Sequence, residues 1–334
     1  MFCRRSGRNF CGRAFLLLCG VLFISSSPPF SIYNDLSSLL LKTAETNNVA
    51  SRIDGSRCNL GAESPCRFSR CSNLSRKVDM LIESHDGRYL NGRRIIDFVF
   101  ILNSKNVPER KKHMVGLMDS WNMKSFVIVD ENDTEILHER IDQLFSSDLG
   151  RYQRTSNATL RSSSLTDSVQ EVTPLSVGEK SLALAHFVVW ETIFCTPSIQ
   201  KALILEDDVI PILHGNILVA LNSFIQGIES LLSVRDPWIL YPGYGQGETE
   251  SIKNFVRYKN NLLIHPDHIS KYSDTYLINS ETADCFVRRV IPFSLAVDWQ
   301  MTWASKVCNA TTFHTAQHLT RQGSGKEFKS SLRP

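Results

Sequence analysis

The amino-acid sequence predicts an α/β fold in which helices flank a mostly parallel sheet. One observation is the stretch 201–211, where an apolar run ends abruptly in Glu206, Asp207 and Asp208. Such a run is typical of a buried parallel strand, and α/β sheets bind ligands beside the carboxyl ends of these strands. The other observation is a strand, a helix and a strand in succession over residues 95–130. This succession predicts a βαβ unit with a right-handed crossover.

Local patterns predict the first elements of this fold. Residues 95–102, IIDFVFIL, are a candidate strand, and Pro108 occupies the first position of a helix that continues to Trp121. Residues 124–130 predict the second strand. Residues 146–173 are rich in Ser, Thr, Arg and Asn, and they predict a long surface loop that is either a mobile lid or a plain insertion.

The later elements follow from caps and apolar spacing. Ser176 and Glu179 have the spacing of a capping box, and the helix that they open places His186 on its apolar face. His186 is there either a core histidine or part of a ligand site. Asp298 opens the last predicted helix, for which it could simply be the N-cap. Between these two helices the sequence predicts the strand ending at Glu206, a helix over 213–232, a strand over 238–242, a hairpin of 255–258 with 262–265, a strand over 275–278 and a helix over 281–290.

The N-terminal segment 1–24 has the pattern of a secretory signal, with four arginines before the apolar run 14–24 and serines and prolines after it. The run is short for a bilayer, so it is either a cleaved signal peptide or the signal anchor of a single-pass type II membrane protein. Both alternatives place the remainder in the lumen of the Golgi or endoplasmic reticulum. Residues 25–94 predict a stem, and residues 95–334 the folded domain. Without those arginines the chain has 33 basic and 34 acidic residues, which argues against nucleic-acid binding.

Two further features agree with a lumenal protein. Sequons predict N-glycosylation at Asn73, Asn132, Asn157 and Asn309. Six cysteines follow the N-terminal segment, and an even number in an oxidising compartment permits disulfides without fixing their connectivity. Three of these cysteines cluster between residues 58 and 71, where zinc is the alternative, although no histidine lies nearby at a ligand spacing.

Several segments in one order carry a resemblance. They are 98–110 (FVFILNSKNVPER), 175–190 (LSVGEKSLALAHFVVW), 202–209 (ALILEDDV), 274–283 (DTYLINSETA) and 297–299 (VDW). Together they resemble glycosyltransferase family 25, the family of bacterial lipooligosaccharide galactosyltransferases and procollagen galactosyltransferases, over roughly residues 95–334. The resemblance implies a GT-A-like, Rossmann-type fold. It also implies an inverting transfer of a hexose, galactose by family likeness, from a UDP-sugar donor to a glycan or glycoprotein acceptor.

The resemblance also assigns roles to residues. The acidic motif corresponds to the metal motif of GT-A folds, so Glu206 and Asp208 are the predicted ligands of Mn²⁺ or Mg²⁺, paired because alternate strand residues share a side. Asp207 is expected to face the donor ribose or sugar, and His186 to belong to the donor site. By the same resemblance Asn103 and Arg110 contact the nucleotide. Asp298 is the expected general base that deprotonates the acceptor hydroxyl.

The sequence departs from the family pattern at a few positions. Lys180, Ser181 and Ala185 replace an Ile-Gly-Cys and a Ser of the family, and the opening Asn-Leu-Asp is replaced by residues 102–104. The retained acids indicate a divergent member of the family. The altered positions leave open a competing class, a catalytically inactive lumenal protein that binds glycans or a partner on the same fold.

Overall fold

The structure, a computed structural model, describes residues 74, 77–78, 81, 89–90, 93–104, 107–130, 133–134, 144–145, 175–212, 215–244, 256–257, 261–264, 273–324 and 327–328. The N-terminal segment, most of the stem, the loop 146–173 and the clustered cysteines lie outside these ranges, as do the sequon residues Asn73, Asn132 and Asn157. In the described ranges no helix is both long and apolar enough to cross a bilayer.

Thirteen strands are described, and they form three sheets. In chain order they are β1 (Tyr89–Leu90), β2 (Arg93–Arg94), β3 (Phe98–Leu102), β4 (Val127–Val129), β5 (Lys201–Glu206), β6 (Val209–Pro211), β7 (Trp238–Tyr241), β8 (Gly243–Tyr244), β9 (Val256–Arg257), β10 (Leu262–Ile264), β11 (Thr275–Asn279), β12 (Thr311–Thr315) and β13 (Thr320–Gln322). The central sheet has eight strands in the order β4-β3-β5-β11-β7-β12-β10-β9. A second sheet has the order β6-β13-β8, and β1 pairs with β2.

The central sheet confirms the α/β prediction. Strands β4, β3 and β5 are parallel neighbours, as the predicted βαβ unit requires, and β7 is parallel to β12. Strand β11 is antiparallel to both β5 and β7, and β10 is antiparallel to β12 and β9. Six of the eight strands of the central sheet therefore run in one direction, and β10 and β11 run in the other. The predicted hairpin is β9 and β10, and Asn261 before β10 has a left-handed φ of 59°.

Five helices are described, and they cover both faces of the sheet. They are α1 (Pro108–Ser120), α2 (Val177–Cys195), α3 (Ile217–Leu231), α4 (Ser280–Arg289) and α5 (Val297–Val307). The capping box is confirmed, because Ser176 Oγ accepts from the Glu179 amide and the Glu179 carboxylate accepts from the Ser176 amide. Pro108 is at the start of α1, as its fixed φ favours.

Alternation along the strands divides the core between the two faces. Phe98, Phe100 and Ile204 pack with α2, α4 and α5, whereas Val99 and Leu205 pack with α1 and α3. The sheet is therefore buried on both faces, which explains why its strands are apolar throughout rather than alternating with polar residues.

The core begins before the predicted boundary at residue 95. Leu74, Val78 and Leu81 are helical residues at the i, i+4, i+7 spacing of one helix face, and they pack against the cluster that includes α2. Lys77 Nζ lies 2.8 Å from the buried Asp133 carboxylate. Part of the predicted stem is thus attached to the domain, because an apolar stripe of three residues was too short to stand out in a polar segment.

A disulfide links two helices on one face of the sheet. Cys285 of α4 is bonded to Cys308, the residue after α5, with the two Cα atoms 5.9 Å apart. Cys195 at the end of α2 also forms a disulfide. The sequence permitted disulfides without fixing a pairing, and the first of these pairings is now assigned.

Candidate active site

The acidic motif lies at the edge where the parallel strands end. Glu206 is the last residue of β5, and it lies beside Leu102, the last residue of β3. Because β11 is antiparallel, it begins at this same edge, and the Glu206 amide donates to the carbonyl oxygen of Asp274 at 2.8 Å. Residues from both strand directions therefore meet at one end of the sheet.

Strand β5 ends at Glu206, and Asp207 and Asp208 form the turn that leads into β6. The pairing of Glu206 with Asp208 by strand alternation was therefore wrong in its reasoning, because the backbone leaves the extended conformation after Glu206. The turn nevertheless keeps the acids close together. The negative charge of Glu206 helps to raise the pKa of Asp208.

Arg110 lies beneath this turn as a buried cation. Its Nη1 donates to Asp207 Oδ1 at 2.8 Å and lies 3.8 Å from Asp208 Oδ2, and the side chain is almost fully buried. The Ser104 amide donates to Asp207 Oδ2 at 2.6 Å. Both oxygens of Asp207 are thus engaged by the protein, and burial raises the pKa of Asp207 against the effect of these two donors.

Asp208 is held by the C-terminal segment. Its Oδ2 accepts from the Ser324 amide at 3.1 Å and from the Ser324 hydroxyl, which itself accepts from Arg110 Nη2 at 3.1 Å. Its Oδ1 is buried, and within the described ranges it accepts no hydrogen bond. Burial, followed by the charge of Glu206, raises the pKa of Asp208 to about 6.

Asp274 is a fourth acid at this edge, and the sequence analysis missed it. It is fully buried beside β5, and burial together with the charges of Glu206 and Asp208 raises its pKa well above the ordinary range. Gly243 leaves space for it, because a Cβ there would lie 3.2 Å from Asp274 Oδ2 and 2.5 Å from Thr320 Oγ1. The sequence does place an acid directly before a buried strand. That acid lies at the site only because β11 is antiparallel to β5, so the beginning of β11 is beside the end of β5.

The charges at this edge are unbalanced among the described residues. Four acidic side chains lie together, at positions 206, 207, 208 and 274, and in the described part of the chain Arg110 is a cation in contact with two of them, Asp207 and Asp208. Buried like charges repel strongly unless protons or a cation compensate them. Asp208 Oδ1 is buried and accepts no hydrogen bond within the described ranges, so the donor set fits a hard divalent cation.

The described residues do not form a complete protein cage for a metal. No group of three or more His, Cys, Asp or Glu side chains with ligand geometry is present among them. Mg²⁺ at nucleotide sites is generally held by one or two carboxylates, with substrate phosphates and water as the other ligands. Glu206 and Asp208 fit a site of that kind.

His186 lies behind Glu206, away from solvent. Its side chain is fully buried, and its Nε2 is 3.7 Å from Glu206 Oε1. The ring stacks with Tyr276 at a centroid distance of 5.6 Å. The structure therefore places His186 in the core as well as next to the acidic motif.

Asn103 and Asp298 are the two remaining predicted site residues. Asn103 follows β3, and its Oδ1 is buried without a hydrogen-bond partner in the described part of the chain. The N-cap of α5 is Ala296, so Asp298 lies in the first turn and is not the cap. Helix α5 leads into β12, which begins level with the start of β7.

Asn309 is the one predicted glycosylation residue within the described ranges. It is exposed and follows α5 with a left-handed φ of 50°. Asparagine is common at this position after a helix, because it tolerates that conformation. The asparagine therefore has a backbone role, and its glycosylation stays a prediction.

The chain thus has the class of an α/β domain with buried acids at the carboxyl end of its central strands, which is the edge where sheets of this kind bind ligands. Residues 96–301, more than half of the chain, match the family Glycosyltransferase family 25 (LPS biosynthesis protein). Among curated proteins, none matches the chain. The chain belongs to glycosyltransferase family 25, and this membership implies a glycosyltransferase that binds a sugar donor and an acceptor.

Proposed function

We propose that the protein is a metal-assisted hexosyltransferase of the secretory pathway. It moves galactose from a UDP-sugar to a glycan or glycoprotein acceptor. The donor binds at the carboxyl edge of the GT-A-like sheet. The observation that carries the proposal is the excess of buried carboxylate around Asp208, whose Oδ1 accepts no hydrogen bond within the described ranges. A family of transferases supplies the reaction class, and the acids supply a place for the donor diphosphate and its cation.

Glu206 and Asp208 would hold Mn²⁺ or Mg²⁺ in this proposal. When bound, the ion supplies a positive charge that stabilises the departing diphosphate. The surrounding residues keep the two carboxylates in place. Ser273 Oγ donates to Glu206 Oε1 at 2.6 Å, and Ser324 holds Asp208. Asp207 accepts a hydrogen bond from Arg110 and so positions the guanidinium group. The predicted contact between Asp207 and the donor ribose or sugar stays a proposal.

Asp298 is the proposed general base. Inversion at the anomeric carbon requires a base on the acceptor side, and a carboxylate in the first turn of α5 is fixed by its helix. Its Oδ1 accepts from the Trp299 amide at 2.9 Å. The base would take the proton of the acceptor hydroxyl as the oxygen attacks the sugar, and the leaving UDP would carry the negative charge away.

The disulfides support a lumenal location. Cys285, Cys308 and Cys195 are bonded, and structural disulfides persist mainly in oxidising compartments. We therefore propose the Golgi or endoplasmic reticulum, with segment 1–24 as a signal peptide or as a type II membrane anchor.

The test is donor consumption by the full-length protein made in an oxidising host. With Mn²⁺, UDP-galactose and UDP-glucose are supplied separately, and release of UDP is measured with and without EDTA. We expect one donor to be consumed and EDTA to abolish the release. A donor that raises the melting temperature without any release of UDP would overturn the enzyme and support the inactive binding protein instead.

A matched pair of variants links this activity to the site. Asp208→Asn removes a proposed ligand charge, and we expect it to lower turnover by about 100-fold or more. Asp284→Asn is the control, because Asp284 is a partly exposed acid of α4 that pairs with Arg288. Equal activities of the two variants would contradict the proposed metal site.

A further inference from the structure

A row of hydrogen-bonded aromatic side chains runs through the core toward the acidic motif. Trp190 Nε1 donates to the Tyr276 hydroxyl at 2.8 Å, and the same hydroxyl lies 2.8 Å from His186 Nδ1. All three side chains are fully buried. His186 and Trp190 are one turn apart on α2, and Tyr276 belongs to β11, so the row joins a helix to the strand beside β5.

The chemistry of these groups fixes the direction of the hydrogen bonds. An indole N–H is a donor only, so the Tyr276 oxygen accepts from Trp190. Burial raises the pKa of Tyr276 well above its ordinary range, so the hydroxyl keeps its proton. Among the described residues, His186 Nδ1 is the acceptor within reach of that proton. His186 Nδ1 therefore accepts this hydrogen bond, which leaves Nε2 as the ring nitrogen that carries a hydrogen.

The Nε2–H group faces Glu206. His186 Nε2 is buried and has no hydrogen-bond partner in the described part of the chain, and it lies 3.7 Å from Glu206 Oε1. Ser273 Oγ donates to that same oxygen at 2.6 Å. Two donor groups from different elements therefore lie beside Oε1, while Oε2 accepts no hydrogen bond among the described contacts and is left for a ligand.

We propose that His186 is a positioning residue for Glu206. The Tyr276 hydroxyl fixes the tautomer and the plane of the imidazole, and the Nε2–H dipole then holds Glu206 Oε1 on the protein side, which leaves Oε2 for the proposed cation. A metal ligand whose orientation depends on such partners typically loses 10–100-fold in affinity when the partner is removed. The inference rests on the proposed function in one respect, namely that Glu206 binds the cation.

The tautomer is tested without any cation or donor. In protein labelled with ¹⁵N-histidine, we expect the His186 Nδ1 resonance at the shift of an unprotonated nitrogen and the Nε2 resonance at that of a protonated one. Tyr276→Phe removes the hydroxyl that fixes this state, and we expect the preference to weaken. A proton on Nδ1 in the wild-type protein would overturn the inference.

The positioning effect is tested by Mn²⁺ affinity, measured from the EPR signal of free Mn²⁺ in the presence of UDP. We expect His186→Phe to weaken binding about 10–100-fold. His186→Gln keeps an N–H donor and should restore most of the affinity. Trp190→Phe is the control for packing, because Trp190 also contacts Tyr276 but its nitrogen donates only to that hydroxyl. We expect its Mn²⁺ affinity to stay within about twofold of wild type.

The outcomes separate the inference from the proposed function. Thermal unfolding shows whether each variant is folded, and His186→Gln covers the case in which His186→Phe is not. Equal losses of affinity for His186→Phe and Trp190→Phe, or no loss for His186→Phe, would overturn the positioning role. Failure of the wild-type protein to bind Mn²⁺ would overturn the proposed metal site, and the tautomer measurement would still decide the orientation of His186.

Discussion

Arg110 and Asp207 form a buried ion pair between residues 97 positions apart in the chain, with Arg110 Nη1 2.8 Å from Asp207 Oδ1. The pair joins α1 to the turn after β5. Phe328 covers the guanidinium at 5.7 Å, and Ser324 accepts from its other nitrogen. One arginine thus connects the first helix, the acidic motif and the C-terminal segment, and it offsets part of the negative charge at the site.

Removal of this cation should destabilise the protein strongly. Arg110→Met leaves Asp207 and Asp208 without their nearest positive charge, and breaking a buried pair in this way typically costs about 3–5 kcal/mol. Urea unfolding measures the loss. Arg288→Met is the control, because Arg288 forms an exposed pair with Asp284 that should contribute less than about 1 kcal/mol. Similar losses for both variants would contradict the structural role of Arg110.

The stability of the protein should depend on pH through Asp133. Burial raises the pKa of Asp133 above 3.8, although Lys77 and the Asp130 amide oppose the shift. The folded protein therefore keeps a proton that the unfolded chain releases, and the free energy of unfolding falls as pH rises from 3.8 through the raised value. Asp133→Asn removes this proton site.

The measurement is urea unfolding at several pH values for wild type and Asp133→Asn. Asp207, Asp208 and Asp274 also have raised pKa values, so they contribute to the pH dependence of the wild-type protein. The contribution of Asp133 is the difference between the wild type and the variant in how steeply the free energy of unfolding falls with pH. We expect a shallower fall for the variant. Parallel curves would mean that burial does not shift this group.

The sequence predicted the parts of the fold that depend on near neighbours in the chain. Strand β5 follows from an apolar run, and α2 follows from a capping box closed by Ser176 and Glu179. The position of the acidic motif at the sheet edge follows from the same local pattern. These features needed no knowledge of which distant segments meet.

Contacts between distant segments were not predictable in the same way. Ser324 contacts Asp208 across 116 positions, and no local pattern marks a serine as the partner of an acid that far away. Asp274 lies at the site because β11 is antiparallel, whereas a parallel β11 would have placed it at the opposite edge. Ser104 stands where the family pattern has an Asp. This change of side chain does not remove the contact with Asp207, because the backbone amide of Ser104 makes it.

Asp298 should be essential for turnover and nearly neutral for folding. It lies in the first turn of α5 but is not its N-cap, so Asp298→Ala should cost only about 0.3–1 kcal/mol through the helix dipole. Loss of a general base should lower kcat about 10²–10⁴-fold. The measurements are UDP release at saturating donor and urea unfolding.

Glu281 provides a matched control for that variant. It is also an acid in the first turn of a helix, but α4 begins beside Asn279, which pairs with Lys201 at the far edge of the sheet. Glu281→Ala should lower stability by a similar amount and leave turnover unchanged. If Asp298→Ala also leaves turnover unchanged, Asp298 is not the base.

The C-terminal segment should tolerate no side chain at Gly323. A Cβ at this position would lie 2.7 Å from the Asp208 carbonyl oxygen and 2.9 Å from Phe328 Cδ2, so the segment would have to shift away from the acidic motif. Such overpacking typically costs about 1–3 kcal/mol, and the shift would also remove the Ser324 contacts to Asp208. We expect Gly323→Ala to lower both the melting temperature and donor turnover.

Gly116→Ala is the control, because no atom lies within 4 Å of a Cβ there and alanine is favoured over glycine inside a helix by about 0.5–1 kcal/mol. Its melting temperature should rise with turnover unchanged, and an equal rise for Gly323→Ala would contradict the close approach of this segment to Asp208.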